Sequence, residues 1–311
     1  MVRVITQDTY DEVVKENIEE FDMTPEEAIN EAVAQFEAQG VDLSNIIKDL
    51  ALSSGENHLI SVTVEKLKEI HSKTKYDDNE LLKELDVFMA ECKKDIAHRV
   101  RAGREGAYEI LINLLESKLK LYKQEQSSRN EMLITTILKS LTALMEMQPD
   151  LLDNKGMDII KNILDSVENE DILEATLQWI SVCCLKHEMN RQGLFAKNMT
   201  NNLKELLKKK ENKKLLSETL QVIRRLTLDD DIRVEFGKAH EHARELGINL
   251  LDTLSELLEE NNSTTIVCAL LQTTAALLVR HELCARVRPD LGALLVAHYD
   301  DAYVAHHAAR L

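Results

Sequence analysis

The sequence predicts an all-α fold, a solenoid of irregular helical repeats preceded by a helical extension, and three observations carry that prediction. An apolar helical signature returns five times, anchored on Leu85, Leu138, Leu177, Leu220 and Leu271. The anchors stand 53, 39, 43 and 51 residues apart, a period at which one supersecondary unit cannot bury its apolar face without a stacked neighbour. The composition agrees: 3 prolines and 9 glycines in 311 residues, with 30% charged residues, favour helix nearly throughout. Finally, polar turns recur at related positions. Arg99, Arg191, Arg233 and Arg286 follow the anchors, and Gly103, Gly156, Gly237 and Gly292 precede a second leucine-rich helix.

Residues 8–22 carry Tyr10, Val13, Val14, Asn17, Ile18 and Phe21 at spacings of three and four, the stripe of an amphipathic helix. A second helix begins at a clear signal. Thr24 is the N-cap, Pro25 takes the first helical position and Glu27 completes a Thr-x-x-Glu capping box. Its stripe is Ala28, Ile29, Ala32, Val33 and Phe36, and Gly40 suits the position after the helix. Neither stripe can be buried by one helix alone, so the two pair as a hairpin, dock on the first repeat, or form an exposed arm. A short, partly apolar segment follows at 41–47. The organisation read from these signals is an acidic N-terminal helical segment at 1–50, a polar linker at 51–61 and repeats at 62–311. Charged insertions at Lys118–Arg129 and at His240–Glu245 are expected in loops between helices.

Each repeat reads as a short polar first helix, a leucine-rich second helix and a longer third helix that carries the anchor. The second helices are expected at Ala107–Leu115, Met157–Leu164, Met199–Leu207 and Leu250–Leu258. That plan resembles the three-helix armadillo repeat over roughly residues 75–311. The N-terminal sequences Glu16-Asn17-Ile18-Glu19-Glu20-Phe21, Pro25-Glu26-Glu27-Ala28 and Gly40-Val41-Asp42-Leu43-Ser44-Asn45-Ile46 closely resemble the armadillo repeat-containing protein 6 family. So do Gln148-Pro149-Asp150-Leu151-Leu152-Asp153, Cys184-Leu185-Lys186-His187-Glu188 and Asp229-Asp230-Asp231-Ile232-Arg233. The resemblance implies a right-handed α-solenoid with no catalytic residues to carry over. Residues 297–308 do not continue the repeat pattern, which predicts a truncated last unit with an open apolar end.

The same resemblance gives a test of function. Armadillo proteins that bind basic peptides are similar in carrying a tryptophan and an asparagine four positions apart on successive third helices. Here the tryptophan slots hold Lys139, Gln178, Gln221 and Gln272, and the asparagine slots hold Ala143, Val182, Arg225 and Ala276. A basic-cargo receptor is disfavoured, because the aromatic faces that pack cationic stems are absent. Lys139, Gln178, Gln221, Arg225 and Gln272 instead outline a polar partner-binding stripe. The single tryptophan, Trp179, is assigned to packing between repeats.

Charge and chemistry narrow the remaining classes. Of the net charge of −17, about −10 lies in residues 1–50, where 13 Asp/Glu face 3 Lys/Arg. Such a surface repels phosphates, so neither nucleic acid nor an anionic membrane is an expected partner. The basic run Lys204, Lys208, Lys209, Lys210, Lys213 and Lys214 reads as a solvated helix end and has no interleaved aromatics for base stacking. The 5 cysteines lie within helical patterns, which favours reduced, mostly buried thiols and a cytoplasmic location, with nuclear entry left open. His281 and Cys284, with His240, His242, His298, His306 and His307, lack paired metal-ligand spacing. No metal or other cofactor is expected. Asp229–Asp231 reads as the cap of a short helix. No nucleophile elbow or phosphate loop is present, and His187 near Cys183 and Cys184 falls on a helix expected to be packed.

The functional expectation is a non-enzymatic scaffold that binds an unidentified protein along the third helices. A co-chaperone adaptor is the alternative, and a helical enzyme with an atypical site is the different-class alternative.

Overall fold

The computed structural model describes residues 3–43, 46, 48, 59–73, 76–260, 263–279, 281–284, 287, 292, 296–298 and 301–309. Helices α1 (Gln7–Glu19) and α2 (Pro25–Ala38) pack against each other as a hairpin. Thr6 caps α1 by accepting the Thr9 N–H. At α2 the capping box forms in full, with Thr24 and Glu27 satisfying each other's backbone donors. Gly40 takes a φ of +71° after α2, a conformation that would strain a side chain. The chain then returns as strand β2 (Val41–Asp42), which pairs in parallel with β1 (Arg3–Val4). Two-residue strands leave no periodicity in the sequence, and they were not foreseen.

Tyr10, Val14, Ala28, Ala32 and Phe36, with Val41, Leu43 and Ile46, close a small core inside this hairpin unit. Phe21, read as part of the α1 stripe, lies beyond the end of the helix and is 62% exposed. Of the segment read as a linker, residues 51–58 lie outside those described. Its last three residues are helical, because α3 (Leu59–Ser72) begins at Leu59.

From α3 onward the chain is a row of stacked helices. The leucine anchors all fall on third helices: α4 (Asp78–Cys92), α7 (Ser128–Met145), α9 (Glu170–Cys183), α12 (Lys213–Arg225) and α14 (Thr264–Leu277). They sit near the middle of these helices, not early, and all five are fully buried. The third helices pack each against the next, and α16 (Ala302–Ala308) continues the row on α14. Four of them start at a side chain accepting a first-turn N–H: Asp77, Ser127, Asn169 and Asn212. Each buried leucine contributes roughly 2 kcal/mol relative to exposure, so one continuous apolar core, from Ile60 to Ala308, holds the stack.

The other two rows are less regular. Second helices are α6 (Ala107–Gln124), α8 (Asn154–Ser166), α11 (Thr200–Leu207) and α13 (Ala239–Glu260). Two of them absorb much of the expected insertions, with residues 125–127 left as the loop between α6 and α7. Lys118 lies inside α6, buried beneath an ion pair with Asp78 at 2.7 Å and 4.8 Å from the Tyr76 ring centroid. Residues 240–245 form the first turns of α13, with His242 buried and stacked on Phe195 at 4.0 Å. Both segments are amphipathic enough to extend a helix, so charge alone was a poor guide to a loop.

First helices are α5 (Ile96–Arg104) and α10 (Glu188–Ala196), and a single 3₁₀ turn at Pro149–Leu151 takes that place between α7 and α8. Between α12 and α13, residues 227–238 hold no helix, so the helix expected after Asp231 is absent. Asp231 instead accepts the N–H groups of Glu188 and Arg233, while Asp230 accepts that of Lys186. The aspartates tie an irregular loop to the preceding unit. Beyond α14, the short α15 (His281–Cys284) precedes a segment described only in part. The departing segment near the end supplies α16, whose Val304 and Ala308 are buried in the common core.

Candidate functional site

The recurrent arginines have a structural task. Arg99 on α5 donates to the Cys92 carbonyl at 2.9 Å, and Arg191 on α10 donates to the Cys184 carbonyl at 2.8 Å. Both acceptors lie seven residues upstream, at the end of a third helix, where carbonyls lack helical partners. The expected polar turn is thus a buried clamp. Arg191 also meets Glu188 at 3.0 Å, and both side chains are 1% exposed. Removing one member of such a pair leaves a buried charge uncompensated. Arg233 bridges three units by reaching Asp231, Asp150 and the Lys186 carbonyl. Arg286 lies outside the described residues.

This cluster accounts for His187. Its Nε2 pairs with Asp150 at 2.8 Å, and its Nδ1 accepts the Asn190 N–H at 3.1 Å, which caps α10. The His187 hydrogen bond, followed by Arg233, holds the Asp150 carboxyl down at about 2. Both imidazole nitrogens are therefore engaged, and neither faces a thiol. Burial pushes the Cys184 thiol up to about 12 and raises Cys183 well above the ordinary range, so neither supplies a thiolate. Trp179 is fully buried, its indole N–H directed at the Met145 sulfur at 3.0 Å. It belongs to the packing between α7 and α9.

On the outer rows a cleft of about 540 Å³ lies between α6 and α8. Its cations are already matched. Lys120 and Lys155 hold Glu116 at 2.7 and 2.9 Å, and Lys123 meets Asn162 at 2.7 Å. Part of the basic run is engaged: Lys208 meets Glu205, Lys210 meets Glu260, Lys214 meets Glu174 and Lys209 donates to the Glu168 carbonyl. Among the described residues, no group of three or more His, Cys, Asp or Glu is placed to hold a metal, and no helix is long and apolar enough to cross a membrane.

The third helices are different: they carry all five predicted positions, with unequal surroundings. Gln178 on α9 is engaged, its amide donating to Glu174 at 3.2 Å and to Glu218 of α12 at 3.1 Å. Gln272 on α14 meets His307 of α16 at 2.8 Å. Among the described residues, half-buried Gln221 on α12 has no hydrogen-bond partner, so the three glutamines do not form a uniform ladder, and exposed Lys139 on α7 has no ion-pair partner. Arg225 on α12 is half-buried, and its buried Nε has no acceptor. The asparagine slots hold buried Ala143 and half-buried Val182 and Ala276.

Sequence reading did not single out a second surface, on the first-helix edge. Met189, Ile232 and Phe236 are 63%, 52% and 83% exposed there. The signal available was the failure of residues 227–238 to hold an apolar period.

Comparison with known proteins accords with this architecture. A family model described as ARMC6 matches residues 60–299, and one described as the Armadillo repeat-containing protein 6 N-terminal domain matches residues 2–75. The chain is 44% identical over 289 residues to an Armadillo repeat-containing protein 6 homolog of Drosophila melanogaster, covering 92% of this chain and 61% of that protein. It is 33% identical over 304 residues to Armadillo repeat-containing protein 6 of Homo sapiens, covering 94% and 58%. The chain thus spans about three-fifths of the length of these curated relatives. Among solved structures, a designed armadillo repeat protein superposes with a TM-score of 0.59 at 14% identity, covering 81% of this chain and 97% of that one. Another, in complex with peptide (KR)4, gives 0.60 at 15% identity, covering 81% and 98%. At these identities the likeness shows the fold.

Proposed function

The chain belongs to the armadillo repeat-containing protein 6 family, and from that premise we propose that it is a non-catalytic scaffold that binds an extended segment of a protein partner across its third helices. The observation that carries this reading is the contrast between faces. Among the described residues, the lysines of the outer-row cleft are engaged internally, whereas the Lys139, Gln221 and Arg225 side chains of the third helices make no hydrogen bond or ion pair. Stacked parallel helices offer an extended surface of repeated geometry, the kind of surface on which repeat proteins take their ligands. A designed armadillo protein of similar fold was solved with a bound peptide, which supports the same mode here. The non-catalytic reading is supported by the buried, protonated thiols of Cys183 and Cys184 and by the full engagement of His187.

The test uses the intact chain as bait beside a Lys139→Ala/Gln221→Ala/Arg225→Ala variant. Among the described residues, none of these side chains makes a hydrogen bond or ion pair, so helix content by circular dichroism is expected to be unchanged. A stoichiometric partner retained by the parent and lost by the variant supports the reading. A partner held equally by both moves the binding surface elsewhere.

A further inference from the structure

We propose that the partner segment is acidic, with carboxylates about six residues apart meeting Lys139 and Arg225. This rests on the reading that the third-helix face takes an extended segment, and it adds the chemistry of that segment. Two neighbouring cations are engaged. Lys214 is paired with Glu174, and Arg224 donates to the Ala269 carbonyl at 3.1 Å and to the Thr273 hydroxyl at 2.8 Å. Among the described residues, no carboxylate lies within ion-pair distance of Lys139 or Arg225.

The acids of the same stretch are already committed. Glu174 is only 7% exposed and is shared by Lys214 and Gln178, while Glu218 takes the other contact of the Gln178 amide. A basic segment lying from α7 to α12 would meet two unmatched cations, two engaged acids and none of the aromatic faces that pack lysine stems. An acidic segment meets the reverse. The Arg225 Nε already lacks an acceptor, so the guanidinium is under-satisfied, and a carboxylate is its strong fork-to-fork match. Arg224 beside it is lowered by burial and then by the Arg225 charge, a repulsion that an anion at Arg225 relieves.

Geometry sets the spacing. α7 and α12 are two helix-to-helix steps apart across α9, about 16–20 Å at ordinary helix separations. An extended chain covers that distance in about five or six residues, and an even number keeps both side chains on one face. Asp86 is exposed at the equivalent slot of α4, so the preference for acid ends before that helix. The net charge of −17 opposes the long-range approach of such a segment. At physiological salt that field is screened beyond about 8 Å, which leaves the two local cations to decide.

The experiment measures fluorescence anisotropy on the full chain with three peptides of about twelve residues, alternating serine with glutamate, lysine or glutamine, long enough to span α7 to α12. Each is repeated on a Lys139→Glu/Arg225→Glu variant whose helix content has been checked. The expected result is binding of the glutamate peptide, weakened about tenfold or more in the variant, a loss equal to about 1.4 kcal/mol. Binding of the lysine peptide alone, lost on Gln221→Ala, overturns the acidic assignment and leaves the third-helix reading in place. Equal glutamate-peptide affinity for parent and variant removes Lys139 and Arg225 from the site. Absence of binding by all three overturns both readings.

Discussion

In the N-terminal hairpin, buried residues from Tyr10 to Ile46 form a core of their own, separate from the apolar core that runs through the stacked helices from Ile60 to Ala308. Among the described residues, ion pairs join the two. Arg104 of α5 meets Asp8 and Asp11 of α1, each at 2.7 Å. Within the solenoid, by contrast, successive units share buried leucines and buried Trp179. Apolar contact of this kind couples a unit to its neighbours, whereas a pair of ion bridges holds the hairpin by charge and salt can weaken it. The two regions should therefore come apart under different insults.

The largest expected effect is in the solenoid. Trp179→Ala removes a fully buried indole between α7 and α9 and should cost about 3–5 kcal/mol, read as a lower denaturation midpoint. Hydrogen exchange should quicken in α7, α9 and α12 together, since each depends on the next. If only α9 responded, the units would be energetically independent and the comparison would break. Next in size is Phe36→Ala, which empties part of the hairpin core and should cost about 3 kcal/mol there. Amides of 7–38 should lose protection while those of α7 and α9 keep theirs. A matching shift of the solenoid midpoint would show that the two cores act as one.

Arg104→Ala sharpens the same contrast. It removes both bridges, Asp11 being buried, and should release the docked hairpin by about 1–2 kcal/mol without changing either core. Limited proteolysis after residue 48 is the direct readout, and added salt should mimic the substitution in the parent chain. The smallest effect concerns pH. Burial holds the His242 imidazole below its ordinary value of 6.5, against the Leu226 carbonyl that contacts its Nδ1 at 3.1 Å. The unfolded chain therefore binds the proton first, so stability is full above about pH 6.5 and falls as pH drops through the lower folded value. His242→Phe should flatten that slope in pH-dependent melts, and an unchanged slope would assign it to other groups.

Much of this architecture was legible in residues 62–309. The leucine anchors were readable because a buried third helix repeats its apolar spacing in every unit, and Thr24, Pro25 and Glu27 announced α2 by cap chemistry alone. The arginines were visible as a period but misread as turn residues. Their burial depends on carbonyls seven positions earlier, and nothing in a local window shows that a long cation will fold back over a helix end. Lys118 and His242 misled for a related reason, since each is a polar residue buried by partners distant in sequence: Asp78 in one case, Phe195 in the other. The slots placed the candidate positions on third helices, yet they could not separate engaged Gln178 and Gln272 from Gln221, because the partners sit on neighbouring helices. The strand pair β1–β2 left no pattern at all.

The central claim, that the third-helix face is where a partner is held, is tested most directly by site-specific photo-crosslinking in cells. A photoreactive residue replaces Gln221 on α12 or, as the outer-row control, Lys120 on α6. The account predicts a discrete crosslinked partner from position 221 and none of the same mass from position 120. The same partner captured from position 120 alone would contradict it.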